Sequence, residues 1–403
     1  MEIRGDNFAP SAGGDVSYGK TYRVQGIPAT FTREDCRTLL SSALQSENES
    51  SEPVVHSLSA DPYTTKFQIA TVTFKQIPDR FQDGKDEWTI PVTKSNILGI
   101  ISSLTVDCHF SGFTPLNSVR DASDHKIDCI AITGLGSHPF GSWKQRNGEH
   151  MWLRDGLPYD LEGARVLSYG YNSKLIQSQT FQSVEDIATA FLISMRSIRI
   201  HDRVITPRPL IFISHSLGGI ILKKAILLMK DEDKICQEIF KSIYAVLFFG
   251  VPNQGFRVDH WLSMVKGQPN ENLILSLGSN SVYLRDLHRD FRIAFDFQDS
   301  QIVCVYETER TRQEALGKWK LTGDYEILVP KSLATDSPAN DQGYRDFPIR
   351  QNHSDMAKFS SRWDENYKNI RTCLEEFSMA APDVIRARFS RAQGRIRLFN
   401  PLS

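Results

Sequence analysis

Leu210-Ile211-Phe212-Ile213 runs directly into Ser214-His215-Ser216-Leu217-Gly218-Gly219, and that in turn into the stretch Ile220 to Met229. A short, wholly apolar run, a cluster of small residues and an amphipathic segment at helical spacing read as strand, tight turn and helix. Such a context suits a nucleophile elbow, where the sharp turn holds one hydroxyl at the edge of a sheet and small neighbours let the chain bend. Ser216 is the candidate nucleophile. The helix that follows would lend its N-terminal dipole and the N–H of Leu217 to a developing oxyanion. Ser214 stands where the motif G-x-S-x-G usually has its first glycine, and serine is small enough for that place. The plainer alternative is an ordinary strand-to-helix turn, because Ser and Gly favour turns anyway. Two fitting flanking elements and a pair of glycines favour the elbow.

Outward from the elbow, Ile127–Ile132, Ala164–Tyr169 and Ile243–Phe249 are also near-continuous apolar runs, the pattern of strands covered on both faces. Helical stretches at Val184–Arg199 and Leu217–Met229 lie between them. The fold class expected over 122–380 is therefore α/β, a doubly wound and mostly parallel sheet. Gln301–Tyr306 and Tyr325–Val329 are expected as its last strands, Asp364–Phe377 as a closing helix, and 381–403 as a basic, poorly ordered tail. A mostly helical insertion near 255–297, with Trp261, Leu262, Met264, Leu273, Ile274, Leu275 and Leu284, either caps a site or packs on the core.

A serine nucleophile on such a sheet needs a base and an orienting acid, in the chain order Ser, acid, His. Only His260, His288 and His353 follow Ser216. The first two sit in helical stretches before the next strand, whereas His353 follows the last one in a loop, so it is the expected base. Glu307, at the end of Gln301–Tyr306, is the expected acid, with Asp324, Asp336, Asp296 and Asp299 as rivals. A second oxyanion donor should come from the glycine-rich loop after Ile127–Ile132, where Gly134 and Gly136 flank Leu135. That loop lacks the G-x-G-x-x-G of a dinucleotide site, since Pro139 follows too soon.

The first hundred residues have a different pattern. Strands at Thr21–Val24, Val54–Ser59, Phe67–Phe74 and Leu104–Phe110, with helices near Thr32–Leu44 and Ser95–Ser103, give β-α-β-β-α-β. This is the order of a small ferredoxin-like α+β domain, expected over 18–117 after a disordered 1–17. RNA-recognition modules share the order, and Tyr22 and Phe67 could be cast as base-stacking residues. The segment is not basic and its third strand lacks the basic-Gly-aromatic signature, which favours an accessory packing or regulatory role.

Composition narrows the classes further. Lys plus Arg number 47 against 48 Asp plus Glu, and no block of like charge stands out, so nothing points to nucleic acid. A hydrophobic share of 40% is that of a globular chain. The six cysteines are scattered singly, as expected of reduced thiols inside a cell. No His/Cys/Asp cluster has metal-ligand spacing and no phosphate-cradling motif occurs, so neither metal nor cofactor is expected. The start of the chain lacks a secretory profile, and the longest apolar run, Tyr244 to Val251, is too short to span a membrane.

At its landmark residues the sequence resembles serine-active-site α/β-hydrolases, the group related to phosphatidylglycerol-remodelling proteins and inositol-deacylase-like lipases. The likeness is greatest to fungal versions, which often stand at the N-terminus of STAND receptors. It runs in order through Gly134-Leu135-Gly136, His138-Pro139, Trp143, Trp152 to Asp155, Tyr169 to Asn172, Ser216 to Gly219, Phe248 to Pro252, Tyr306 to Thr308, and His353-Ser354 with Lys358-Phe359. The resemblance implies hydrolysis of lipid-like or other carboxylic esters, with triad roles on Ser216, Glu307 and His353. It also implies possible peripheral contact with endoplasmic-reticulum or mitochondrial membranes. Thr133 and Asn253 stand where the group usually has histidines. The competing expectation is a signalling or interaction module that keeps the hydrolase fold without turnover.

Overall fold

The structure, a computed structural model, describes residues 20–44, 52–92, 102–119, 123–202, 207–312, 325–335 and 343–399. Its first unit comprises β1 (Tyr22–Pro28), α1 (Arg33–Ala43), β2 (Pro53–Ala60), β3 (Phe67–Phe74), β4 (Glu87–Pro91) and β5 (Ser103–Asp107). They form an antiparallel sheet in the order β2-β3-β1-β5-β4. Helix α1 starts at a capping box in which the Thr32 hydroxyl accepts from Asp35 N–H and the Asp35 carboxylate accepts from Thr32 N–H. It lays Cys36, Leu39 and Leu40 on the sheet. Tyr22 is buried against Phe74, Phe81 and Trp88, so this ring is a core residue with no face open to a base. The edge strand β4 lay hidden in a polar stretch of sequence, and most of the helix expected near Ser95–Ser103 falls outside the described residues.

From there the chain builds β6 (Gly112–Pro115), β7 (Ile127–Ile132), α2 (Trp152–Asp155), α3 (Leu157–Asp160), β8 (Ala164–Gly170), α4 (Val184–Asp202), β9 (Leu210–His215), α5 (Leu217–Asp231), α6 (Lys234–Ser242) and β10 (Ile243–Phe249). Helices α7 (Asp259–Val265), α8 (Glu271–Ser276) and α9 (Val282–Ala294) precede β11 (Gln301–Glu307), and then come β12 (Thr311–Arg312), β13 (Tyr325–Glu326), α10 (Lys331–Ala334), β14 (Tyr344–Ile349) and α11 (Glu365–Phe399). Seven strands form one sheet in the order β14-β11-β10-β9-β7-β8-β6, parallel except for β6. A mostly parallel α/β sheet with one reversed edge strand and the strand–turn–helix of Ser216 on its central strand is the α/β-hydrolase fold. Alternate residues of each strand feed two apolar layers: Ile130, Phe212 and Val246 meet α4, α5 and α9, while Cys129, Ile211 and Leu247 meet α11 and the Trp143–Trp152 pair. Burial on both faces is why these strands lack polar alternation.

Three expectations are corrected. Gly112–Pro115, assigned from sequence to the first unit, pairs with β8 in the large sheet, because Phe113 fits against Tyr169 and Phe191 there. Tyr325–Val329 supplies only the two-residue β13, and the last strand is Tyr344–Ile349. The supposedly disordered tail is helical to Phe399: α11 passes through Pro382 and buries Ile385, while Arg388 donates to the carbonyls of Lys241 and Ile243. In the 255–297 insertion, α9 packs Leu284, Leu287 and Phe291 inward, with the Phe291 ring 5.8 Å from that of Phe248. No helix among the described residues is long and apolar enough to cross a membrane.

Candidate active site

Ser216 sits at the tip between β9 and α5 with φ 52° and ψ −124°, a backbone conformation that costs a non-glycine residue about 1–3 kcal/mol. Its N–H donates to the carbonyl of Phe249, 2.9 Å away, which ties the turn to the end of β10. The glycines that follow are steric necessities. A Cβ at Gly218 would lie 2.4 Å from the Ile132 oxygen, and one at Gly219 2.3 Å from the Val251 side chain. Ser214 in place of the usual glycine is accommodated, since its hydroxyl donates to the Leu247 carbonyl at 3.3 Å.

The loop after β7 comes up against this turn. A Cβ at Gly134 would stand 3.0 Å from Ser216 Cβ, and Gly136, at φ +62°, donates its N–H to Ser173 O at 2.7 Å. Leu135 is held between these two glycines. Leu217 opens α5, so its N–H is among the helix's first unpaired donors. The Thr133 hydroxyl bonds that of Ser142, and the Tyr171 hydroxyl donates to Thr133 O at 3.0 Å, which fixes the start of the loop.

Glu307 ends β11 and His353 follows β14; both are buried, and Nδ1 of the imidazole lies 2.6 Å from Oε2 of the carboxylate. The other carboxylate oxygen, Oε1, accepts from the N–H groups of Leu328 at 2.6 Å and Val329 at 3.0 Å. Because Nδ1 faces a carboxylate it carries the proton, and Nε2 is left as the basic nitrogen. Nε2 is buried with no hydrogen-bond partner among the described residues, the Ser216 hydroxyl included. Both residues border one turn. Ser216 is bonded to Phe249, and a Cβ on the next residue, Gly250, would lie 2.9 Å from His353 Nδ1.

The other candidates are placed as follows. Asp324 and Asp336 lie outside the described residues; Asp296 is exposed, and Asp299 pairs with Arg388. His260 lies on α7. His288 on α9 faces Lys223 Nζ at 2.9 Å through Nδ1, and burial, reinforced by that ammonium, pushes it down to about 2. Asn253 bonds Lys223 and donates to Ala334 O at 3.0 Å, so it tethers the segment that carries Leu328 and Val329.

Sequence reasoning passed over His215. Its Nε2 donates to the His353 carbonyl at 2.9 Å, its ring centroid is 4.9 Å from that of His353, and its Nδ1 is buried without a partner among the described residues. Burial, and next the charge of His353, push it down to about 3. The only signal for it was its place inside the elbow. A cavity of about 820 Å³ lies away from all these groups, at the opposite end of the strands, among Arg33, His56, Lys126, Arg154 and Gly163.

No family model matches the chain. It is 23% identical over 208 residues to protein SERAC1 of Mus musculus, across 48% of this chain and 32% of that protein, and 22% identical over 205 residues to the Homo sapiens protein. The match thus spans about a third of the length of these curated relatives. Among solved structures, mature Bacillus licheniformis lipase BlEst2 superposes with a TM-score of 0.41 at 14% identity over 65% of this chain and 97% of its own. Aspergillus fumigatus lipase B gives 0.36 at 16% over 56% and 44%. The fold assignment rests on the strand order.

Proposed function

We propose that this chain is a serine hydrolase of carboxylic esters, of lipid-like acyl groups in particular. Ser216 Oγ attacks the ester carbonyl as His353 Nε2 takes the hydroxyl proton, and the N–H groups of Leu135 and Leu217 receive the negative charge that gathers on the oxygen. The carbon–oxygen bond to the alcohol breaks while His353 returns the proton to the departing oxygen. Water then cleaves the acyl–serine ester with the same base. Glu307 keeps the imidazole oriented and stabilises its charged form.

One observation carries this reading: the buried 2.6 Å contact of His353 Nδ1 with Glu307, which leaves Nε2 unbonded beside the turn that holds the elbow. The lipid-like class comes from the family resemblance and agrees with the apolar side chains of Leu135, Leu175 and Leu217 around the loop. The order β2-β3-β1-β5 supports a ferredoxin-like N-terminal unit with β4 added at its edge.

The absence of a bond between Ser216 and His353 favours a second reading, a non-catalytic interaction module on the same fold. Triad contacts in empty enzymes are often long and tighten only with substrate. A fluorophosphonate probe separates the two: labelling that disappears in Ser216→Ala supports the enzyme, and folded protein that resists the probe supports the module.

A further inference from the structure

The N-terminal unit is joined to the β7 loop by a chain of buried polar contacts. Arg23 on β1 donates through Nε to Asp107 Oδ2 at 2.8 Å, with both side chains almost fully buried. Through Nη1 it reaches Ser111 O at 2.8 Å and the Thr114 hydroxyl, on β6 of the large sheet, at 2.9 Å. The other oxygen of Asp107 accepts from Phe110 N–H at 2.8 Å and so holds Phe110 at φ +53°, a conformation phenylalanine rarely adopts.

The tight turn that results aims two groups at one histidine of the β7 loop. The Cys108 carbonyl accepts from His138 Nε2 at 2.7 Å, and the Phe110 ring packs edge-on against the His138 imidazole at 5.3 Å. With Nε2 donating, His138 Nδ1 accepts from the N–H groups of Phe140 at 3.1 Å and Gly141 at 3.0 Å. The His138 carbonyl accepts from Ser142, whose hydroxyl meets that of Thr133, the residue before Gly134. Gly134 is the residue at which a Cβ would stand 3.0 Å from Ser216 Cβ.

From this juxtaposition we propose that the N-terminal unit positions the oxyanion loop, with Arg23, Asp107 and His138 as positioning residues. Its catalytic consequence rests on the ester-hydrolase reading. A buried ion pair is weak evidence for stability in itself, and a common use of one is to fix a single arrangement. Here the arrangement fixed is a strained turn, and what the turn holds is the loop that presents Leu135. Displacing an oxyanion donor by about 1 Å slows reaction on the order of 100-fold, so a clasp at this distance has leverage.

The test uses the full chain. His138→Ala is expected to slow phosphonylation of Ser216 and to lower kcat on p-nitrophenyl butyrate, each by about 10- to 100-fold, with KM within about twofold. Hydrogen exchange at 133–143 should quicken in the same variant. His138→Gln, whose amide can still donate to the Cys108 carbonyl, should recover most of both losses, and Arg23→Lys, which keeps charge without the fork, should fall between. A simple packing role would lower the melting temperature and leave kcat and the alanine–glutamine difference unchanged. Wild-type labelling rate and unchanged loop exchange in His138→Ala would overturn the clasp. Wild-type protein that resists the probe would overturn the hydrolase reading, and the exchange comparison would then decide the clasp alone.

Discussion

The two ends of the large sheet treat buried polar groups in opposite ways. Beneath the starts of β7 and β8, Asp128 accepts from Arg165 Nε at 2.7 Å and Nη2 at 3.0 Å and meets His125 at 2.7 Å, with Arg199 and Arg208 each 3.6 Å away. Arg165 also forks onto Asp202 at 2.8 and 3.0 Å, and Arg208 joins there at 2.9 Å. At the other end, His353 Nε2 and His215 Nδ1 are buried without partners among the described residues, and Ser216 is strained. Each such group costs about 1–3 kcal/mol. The first end pairs each of its charges, with Arg208 Nε as its orphaned atom, whereas the second joins two orphaned imidazole nitrogens to a strained backbone, the combination that the proposed chemistry calls for.

On the ester-hydrolase reading, substitutions at the strained end should alter rate, and those at the charge-paired end stability. The largest effect is expected from Ser216→Ala, which should abolish probe labelling and cut esterase kcat by on the order of 10⁴-fold or more with little change in melting temperature. Glu307→Gln comes next, on the order of 10³-fold in kcat. The glutamine is the informative choice because it can still accept from Leu328 and Val329, whereas alanine would strand two buried N–H groups and confuse lost chemistry with lost structure. Full activity in Glu307→Gln would transfer the acid role to Asp324 or Asp336.

Asp128→Asn tests the opposite end. It should lower the unfolding free energy by about 3 kcal/mol in urea melts, because it leaves Arg165, Arg199 and Arg208 around a neutral group, and it should leave kcat within about twofold. Burial alone would raise this carboxyl, but Arg165 foremost, with His125 and Arg199, holds it well below the ordinary range. A loss of activity as large as that of Glu307→Gln would break the division between the two ends.

How much of this was legible beforehand follows the physics of each segment. The strands β7 to β11 could be read because double-sided burial removes polar residues from long runs, and chain order alone singled out Glu307 and His353, the pair found in contact, as candidates. Strand β14 could not: Tyr344-Arg345-Asp346-Phe347-Pro348-Ile349 is half-exposed at a sheet edge, where an apolar run is not required. The helix beyond Pro382 was obscured by proline and basic residues whose packing partners, Lys241, Ile243 and Ser300, are distant in sequence. His215 was invisible for a similar reason, since its partner is a backbone carbonyl 138 residues away.

That histidine supplies the smallest and most specific test of the comparison. His215 is pushed from 6.5 in the unfolded chain down to about 3 in the fold, first by burial and then by His353, so the native state holds it neutral. Its contribution is complete above the unfolded value and is lost as pH falls from 6.5 towards 3, because the unfolded chain then binds the proton that the native chain refuses. Stability should decline by about 1.4 kcal/mol per pH unit for each such histidine across that window. His288, held down to about 2 by burial and Lys223, adds a second decline of the same sign. In His215→Gln, whose amide can still donate to the His353 carbonyl, urea midpoints between pH 6 and 4 should fall more shallowly, by the share of one group. An unaltered slope would mean that His215 is charged in the native protein, and the contrast between the charge-paired end and the strained end would lose its second orphaned nitrogen. The Asp128 end adds a decline of its own below about pH 5, since its carboxyl stays ionised in the fold while the unfolded chain takes up a proton, and His125 beside it, pushed down by burial, adds another; neither is altered in His215→Gln, so the difference in slope still reports His215 alone.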